Sequence, residues 1–349
     1  PSGKKVDIEV YHSPKHKRNL EHFINGIKVS LDYNSKNFLE YPYSVIRIVE
    51  FPAYSTFAQS FATTIPYSED FGFVADFSKA EDFNYAFRVT SHEVAHQWWG
   101  HIVTPSKTSG ANIISETLAE YVSLMTMKNE YGENGIKSFL KNSLDSYLGS
   151  RQFSFKPERS LLNVETGQHI WYQKGSMVMY ELQDVIGEDK INAALKQFLN
   201  EYKYFNKGVY ATSENLYDAI YAIAPDSLKY KVTDGFKEIV LYENKVSEAK
   251  TKELDNGKWE TTFTVNSSKI YYDDKVVSFE TLLKVFYVAH DGTQVNRQGP
   301  DRGPQYRSEI YYHNMAQKNA SEAYIKELED NGYGSIATLV NSYKEFWVA

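Results

Sequence analysis

Residues His92-Glu93-Val94-Ala95-His96-Gln97-Trp98-Trp99-Gly100 (HEVAHQWWG) decide how the rest of the chain is read. Histidines four apart on a helix leave one face about one turn apart, so both imidazoles can reach a single zinc ion. The glutamate beside the first histidine then lies close to the ion without ligating it, and can act as general base on a metal-activated water. The plain alternative is a surface helix with two solvated histidines. Its surroundings argue otherwise: Phe83, Phe87 and Val94 recur at helical spacing, Asp82 offers a cap and Gly100 a stop.

A catalytic zinc usually takes three protein ligands and keeps one position open. Downstream, Ser115-Glu116-Thr117-Leu118-Ala119-Glu120-Tyr121 opens an apolar helical run through Met125 and places Glu116 near its start as the third ligand. Glu120, one turn further on, shares that face and can accept a hydrogen bond from a ligand imidazole. A solvated helix carboxylate is the ordinary reading of Glu120 taken alone.

HEVAHQWWG followed by SETLAEY resembles the zinc aminopeptidases of the aminopeptidase N type, within the gluzincin metallopeptidases. Their pattern is H-E-x-x-H, eighteen residues, then Glu in an N-E-G-x-x-x-Y context. Here nineteen residues separate His96 from Glu116, and Ser115 stands where the family usually has Asn. The loop Pro105 to Ala111 is a cheap place to absorb one extra residue. The chain is similar to the divergent bacterial branch whose peptidase domain accompanies transporter-type membrane segments, over roughly residues 5 to 245. The resemblance implies a thermolysin-like two-lobed zincin domain, one Zn²⁺ per chain, and a peptide substrate. It also implies a role for Tyr172 in Tyr172-Gln173-Lys174-Gly175, since the family's tyrosine in a Tyr-x-Lys-Gly context donates a hydrogen bond to the tetrahedral oxyanion.

One departure bears on specificity. Family members carry a G-x-M-E-N segment whose glutamate binds the substrate's free amino terminus. Counting back from Ile65-Pro66-Tyr67-Ser68-Glu69, the corresponding residues are Phe57-Ala58-Gln59-Ser60-Phe61, which puts Ser60 in the place of that glutamate. Hydrolysis survives such a change; amino-terminal specificity is what it questions. Gln59, Glu50 and Glu69 are the candidate substitutes.

Elsewhere the sequence is that of an ordinary globular protein, with 42% hydrophobic and 24% charged residues, enough for one large core or two smaller ones. A net charge of −7 argues against nucleic acid as a partner. No cysteine is present, which excludes disulfides, thiolate ligands and a cysteine nucleophile. No run approaches eighteen apolar residues, and the start at Pro1-Ser2-Gly3 reads as a piece excised from a longer chain. The expectation is a fragment soluble by itself, from a bacterial protein that is extracytoplasmic or membrane-associated, with any tether or transmembrane segment outside it.

Strands are expected over Lys4–Tyr11, Ser44–Phe51 and Phe71–Phe77, with a helix over Asn19–Phe38. His12, His16 and His22 lack paired spacing and read as surface histidines, and His101 as a helix-end cap. Helices then dominate: Ile136–Leu148, His169–Ile186, Asp189–Tyr202, Glu214–Ile223 with Thr212 or Ser213 as cap, and Ser227–Leu241. Val246–Leu254, Lys258–Val265 and Phe279–Ala289 alternate like strands around an Asp255-Asn256-Gly257 turn. The class is therefore α+β: a catalytic domain over 1–245, a small β-rich module over 246–296 resembling the family's post-catalytic β-module, and a linker with a helical segment (Ser321–Asp330) over 297–349. Nothing is recognised in Tyr306–Ala349.

Three functional readings follow. In the first, a zinc aminopeptidase, His92, His96 and Glu116 hold the metal, Glu93 is the base and Tyr172 the oxyanion donor. The second keeps the zinc but makes the protein an endopeptidase or dedicated peptide processor, for want of the amine-binding glutamate. The third is a catalytically weak binding module of a membrane complex, which would have no use for five retained active-site residue types.

Overall fold

Val45–Phe51 (VIRIVEF) is the middle strand, β2, of a parallel sheet ordered β1-β2-β3, with β1 at Asp7–Tyr11 and β3 at Thr64–Ser68. Its alternation buries Ile46 and Ile48, and β3 adds Ile65 and Tyr67 to the same core. The computed structural model describes residues 3–77, 84–154, 158–271 and 279–343; the chain divides into two units, Pro1–Tyr271 and Tyr272–Ala349. A fourth, short segment, Phe57–Phe61, folds back antiparallel on β3: Ala58 faces Tyr67, Phe61 faces Thr64, and Gln59 N donates to Pro66 O at 3.1 Å.

Helix α1 (Leu20–Asn37) packs Phe23, Ile27 and Leu31 into this core. The helix that carries the histidine pair, α2 (Tyr85–Ala95), is capped by Asn84, whose Oδ1 accepts from Phe87 N at 3.0 Å. Asp82 and Phe83, expected to begin it, lie outside the described residues. Helix α3 (Leu118–Gln152) is broken at Gly132, whose φ of 70° is a left-handed value suited to glycine. Then come α4 (Gly175–Ile186), α5 (Glu188–Tyr202), α6 (Ser213–Ile223) and α7 (Lys229–Phe236). Thr212 and Asn215 form a reciprocal capping box at α6, and Gly187 separates α4 from α5 as its positive φ allows.

Two expectations in this unit need correcting. Phe71–Phe77 is not a strand: Glu69–Phe73 forms a single π turn after β3, with Ser68 Oγ accepting from Asp70 N. The alternating aromatics instead pack inward, Phe71 stacking on Tyr67 at 4.9 Å and Phe73 meeting Phe23 at 4.6 Å. The last helix stops at Phe236 rather than Leu241, because Val240 already begins β4 (Val240–Glu253). β4 and β5 (Trp259–Tyr271) form a long antiparallel hairpin, exposed along nearly all its length, turning at Gly257.

The second unit holds α8 (Phe279–Ala289), the two-residue strands β6 (Arg297–Gln298) and β7 (Asp301–Arg302), β8 (Glu309–Tyr312), α9 (Met315–Asp330) and β9 (Leu339–Ser342). β8 and β9 pair in parallel. Phe279–Ala289, expected as a strand, is a helix: Leu283 and Tyr287, one turn apart, are buried with Ile310 in a small core. Among the described residues no helix is long and apolar enough to cross a membrane.

Candidate active site

Helix α2 ends at the site. His92 lies in its last turn and His96 caps it, so the helical rise brings the two rings together edge to face at 90°, with their Nε2 atoms 3.1 Å apart. Glu116 arrives from a π turn, Ile113–Thr117, that opens α3, and its Oε2 lies 3.4 Å from each of those nitrogens. Donors about 2.0–2.1 Å from a common tetrahedral centre stand roughly 3.3 Å from one another, so a triangle of these edges suits zinc. The donor chemistry fits as well: two imidazoles and a carboxylate, with the outer nitrogen of each ring facing an oxygen. His96 Nδ1 lies 2.9 Å from Trp99 O, which as an acceptor fixes the proton there and leaves Nε2 its lone pair.

His92 Nδ1 lies 2.9 Å from Glu120 Oε2, an ion-pair distance. The other oxygen of Glu120 is held by Arg88, one turn before His92 on α2, whose guanidinium also lies over the Phe139 ring. Buried Glu120 is therefore a placed group and not a solvated carboxylate. Burial opposes its ionisation, but Arg88 and His92 outweigh that and hold its carboxyl down at about 2. Burial likewise disfavours the charged forms of His92 and Glu116. For His92, hydrogen bonding to Glu116 and Glu120 and the charges of Glu120 and Glu93 win and lift it to about 10; for Glu116, the two imidazoles win and hold it well below the usual carboxylate range. The negative charge that draws a proton onto His92 is equally what attracts a divalent cation.

Replacing Glu120 by Gln keeps the shape and removes this charge. Zinc affinity is expected to fall about 10–100-fold, measured by competition with a chelator. An unchanged affinity would reduce Glu120 to a partner of Arg88.

Glu93, between the two histidines in sequence, is buried. Burial pushes its carboxyl up, His92 and His96 pull it back, and Glu116 and Glu120 push it up again. That balance suits a group that must take and return a proton near neutral pH.

Tyr172 lies on a second π turn, Ile170–Lys174, directly before α4, with its ring 5.8 Å from that of His92. Burial first, then the charge of Glu116, pushes its phenol upward, so it stays protonated and able to donate. Gly175 sets its approach: a Cβ there would stand 2.5 Å from Thr117 Oγ1, beside Glu116. Thr117 Oγ1 in turn donates to Trp171 O at 2.5 Å. Lys174 is anchored by Glu158 at 2.6 Å, which also binds Arg151 and Tyr147.

Ser60 sits on the antiparallel edge segment, tied to the metal helix and bearing no charge. Gln97 Nε2 donates to Ser60 Oγ at 2.7 Å and to Phe61 O at 2.9 Å, while Gln97 Oε1 accepts from Thr63 N at 3.0 Å. His101 Nε2, its pKa lowered by burial, lies 3.2 Å from Ser60 O, so His101 is a tether to that segment. Gln59 is exposed on the same segment. Glu50 and Glu69 are engaged elsewhere: Ser13 N donates to Glu50, Ala53 N to Glu69, and both carboxylates face His16. Sequence reasoning missed Arg88 and Gln97. Arg88 had a local signal, lying four residues before His92 on one helix face. Gln97 had none, because its partners come from a distant strand segment.

A helix-borne H-E-x-x-H pair completed by a glutamate from the next helix suits the metal centre of a zinc metallopeptidase. Residues 23–236, more than half of the chain, match the peptidase family M1 domain. The chain belongs to peptidase family M1. Human endoplasmic reticulum aminopeptidase 2 is 29% identical over 210 residues, 58% of this chain but 22% of that protein. Among solved structures, native yeast LTA4 hydrolase superposes with a TM-score of 0.53 at 16% identity, over 65% of this chain and 37% of that one, a likeness of fold. An M1 zinc metallopeptidase from Deinococcus radiodurans aligns over 68% of this chain and 45% of its own at 18% identity, with a TM-score of 0.45.

Residues 237–349 match a different family, peptide methionine sulfoxide reductase. The MsrA of Haloquadratum walsbyi is 44% identical over 89 residues, 26% of this chain and 51% of that protein. The chain thus spans about half, or less, of the curated relatives it matches. The C-terminal part is MsrA-like and not a small β-rich module of the aminopeptidase type.

Proposed function

We propose that the M1 part hydrolyses peptide bonds near the amino terminus of its substrates. The convergence of His92, His96 and Glu116 into one donor triangle, flanked by buried Glu93 and by Tyr172, carries this reading. These three ligands would hold one zinc ion, which when bound supplies Lewis-acid polarisation of the substrate carbonyl. Glu93 takes the proton from the attacking water and delivers it to the leaving amine. Tyr172 donates its phenolic hydrogen toward the oxyanion. Gln97 and His101 keep the edge segment in register with the metal helix.

The uncharged Ser60 motivates a second reading, in which cleavage does not require a free amino terminus. A buried substrate ammonium needs a compensating carboxylate, and Ser60 offers only a hydroxyl already bonded to Gln97. Matched peptides with free and acetylated amino termini separate the two by their kcat/KM. The expected result is cleavage of the free peptide with only a small preference over the acetylated one. Ser60→Glu is expected to enlarge that preference. Cleavage confined to free amino termini would mean that a carboxylate elsewhere binds the amine; cleavage only within longer peptides would make the enzyme an endopeptidase.

For the C-terminal part the chemistry is restrictive. Reducing a sulfoxide takes two electrons, which protein thiols supply, and these 349 residues contain no cysteine. We assign no reductase step to them.

A further inference from the structure

The three strands of the first sheet run parallel, so their carboxyl ends share one edge. At that edge three side chains from separate segments meet. His16 comes from the loop after β1, Glu50 from the end of β2, and Glu69 from the turn after β3. His16 Nδ1 contacts Glu50 Oε1 closely and lies 3.8 Å from Glu69 Oε2. These donor atoms lie within 4.8 Å of one another, a grouping that among the described residues recurs only at the catalytic triad of donors. Contrary to the expectation for an unpaired surface histidine, the His16 side chain is 23% exposed, and that of Glu50 only 7%.

Two features distinguish this from a loose patch of charge. Each carboxylate is oriented by a backbone amide on its outer oxygen: Ser13 N donates to Glu50 Oε2 at 2.5 Å, and Ala53 N to Glu69 Oε1 at 2.9 Å. The inner oxygens, Glu50 Oε1 and Glu69 Oε2, are thereby turned toward the one imidazole. A cavity of about 320 Å³ adjoins the cluster, with His12, Ser13, Glu50 and Glu69 in its walls. That is room for an ion and several waters at roughly 30 Å³ each.

We propose that His16, Glu50 and Glu69 form a second divalent-cation site, distinct from the catalytic centre. One imidazole with two carboxylates suits a first-row dication such as zinc better than calcium, whose ligands are all oxygen. The ion takes the place of the hydrogen between His16 Nδ1 and Glu50 Oε1, whose atoms part to roughly 3.3 Å to share it, neutralises two carboxylates and cross-links the ends of β1, β2 and β3. Water from the adjoining cavity completes its coordination.

The test is metal stoichiometry on the full chain, equilibrated with zinc and freed of excess. The unmodified protein is expected to retain two equivalents. His16→Ala should retain one, with peptide hydrolysis within about twofold of the unmodified protein, since none of these residues belongs to the catalytic machinery. Glu69→Gln, at a half-buried position that tolerates change better, provides the same reading if His16→Ala does not fold. Glu116→Ala should also retain one equivalent, but without hydrolysis. One equivalent in the unmodified protein and none after Glu116→Ala would overturn the proposal and leave His16 as a plain hydrogen-bonding partner of Glu50. So would two equivalents that survive both His16→Ala and Glu69→Gln. Hydrolysis is read separately, so failure of this site and failure of the peptidase reading are distinguishable.

Discussion

Glu93→Gln is expected to bind zinc at the catalytic centre as the unmodified protein does, while its kcat falls by about 10²–10⁴-fold, the usual contribution of a positioned acid–base group. The substitution preserves the shape of a buried side chain and removes only its capacity to take a proton. It also removes one of three neighbouring negative charges, and with it the upward pull that Glu93 exerts on His92. Metal retention rests on the three donors His92, His96 and Glu116, which the substitution leaves in place. His96→Ala provides the contrast, because it deletes a corner of the donor triangle and should lose both metal and activity. Metal analysis with kcat on each variant separates ligand from base. Full activity in Glu93→Gln would refute the mechanism.

Tyr172→Phe is expected to fold and bind metal normally and to lose about 10²–10³-fold in kcat, as removal of one oxyanion donor does. The ring's place is set by Thr117, Gly175 and the Lys174–Glu158 pair, none of which needs the hydroxyl. The lost oxygen is consequently a chemical deletion with little structural effect. Initial rates across substrate concentration decide its role. A loss confined to KM would show that the phenol binds ground-state substrate instead.

The parts of the site that were legible in the sequence are those with local spacing. His92 and His96 are one helical turn apart, Glu116 and Glu120 another, and Tyr172 is marked by the glycine three residues on, whose need for close approach the structure explains. What was not legible depends on contacts between distant segments. Gln97 finds Ser60 across 37 residues, and His16 finds Glu50 across 34, through strand pairing that no local pattern encodes. A similar limit displaced the third strand: Phe71 and Phe73 alternate in sequence, yet their rings pack back on Tyr67 and Phe23. In the C-terminal part, a helix rich in Val, Phe and Tyr imitates a strand until Leu283 and Tyr287 are seen to share one buried face. The Gly- and Pro-rich stretch before β8 read as a linker, although Arg297 and Gln298 pair there with Arg302 and Asp301.

The π turns that carry Glu116 and Tyr172 make chain length, as well as residue type, part of the catalytic design. A π turn holds one residue more than an α turn, and successive helical residues point about 100° apart. Removing a single residue from either turn would let the helix close into regular α form and swing its side chain away from the histidines. The loop Pro105–Ala111 has no such phase to keep. The extra residue between His96 and Glu116 therefore has two homes of very different consequence: in the loop it lengthens the chain between the ties of Ser106 to Ala211 and of Gly110 to Val164, whereas in the turn it sets the direction in which Glu116 points.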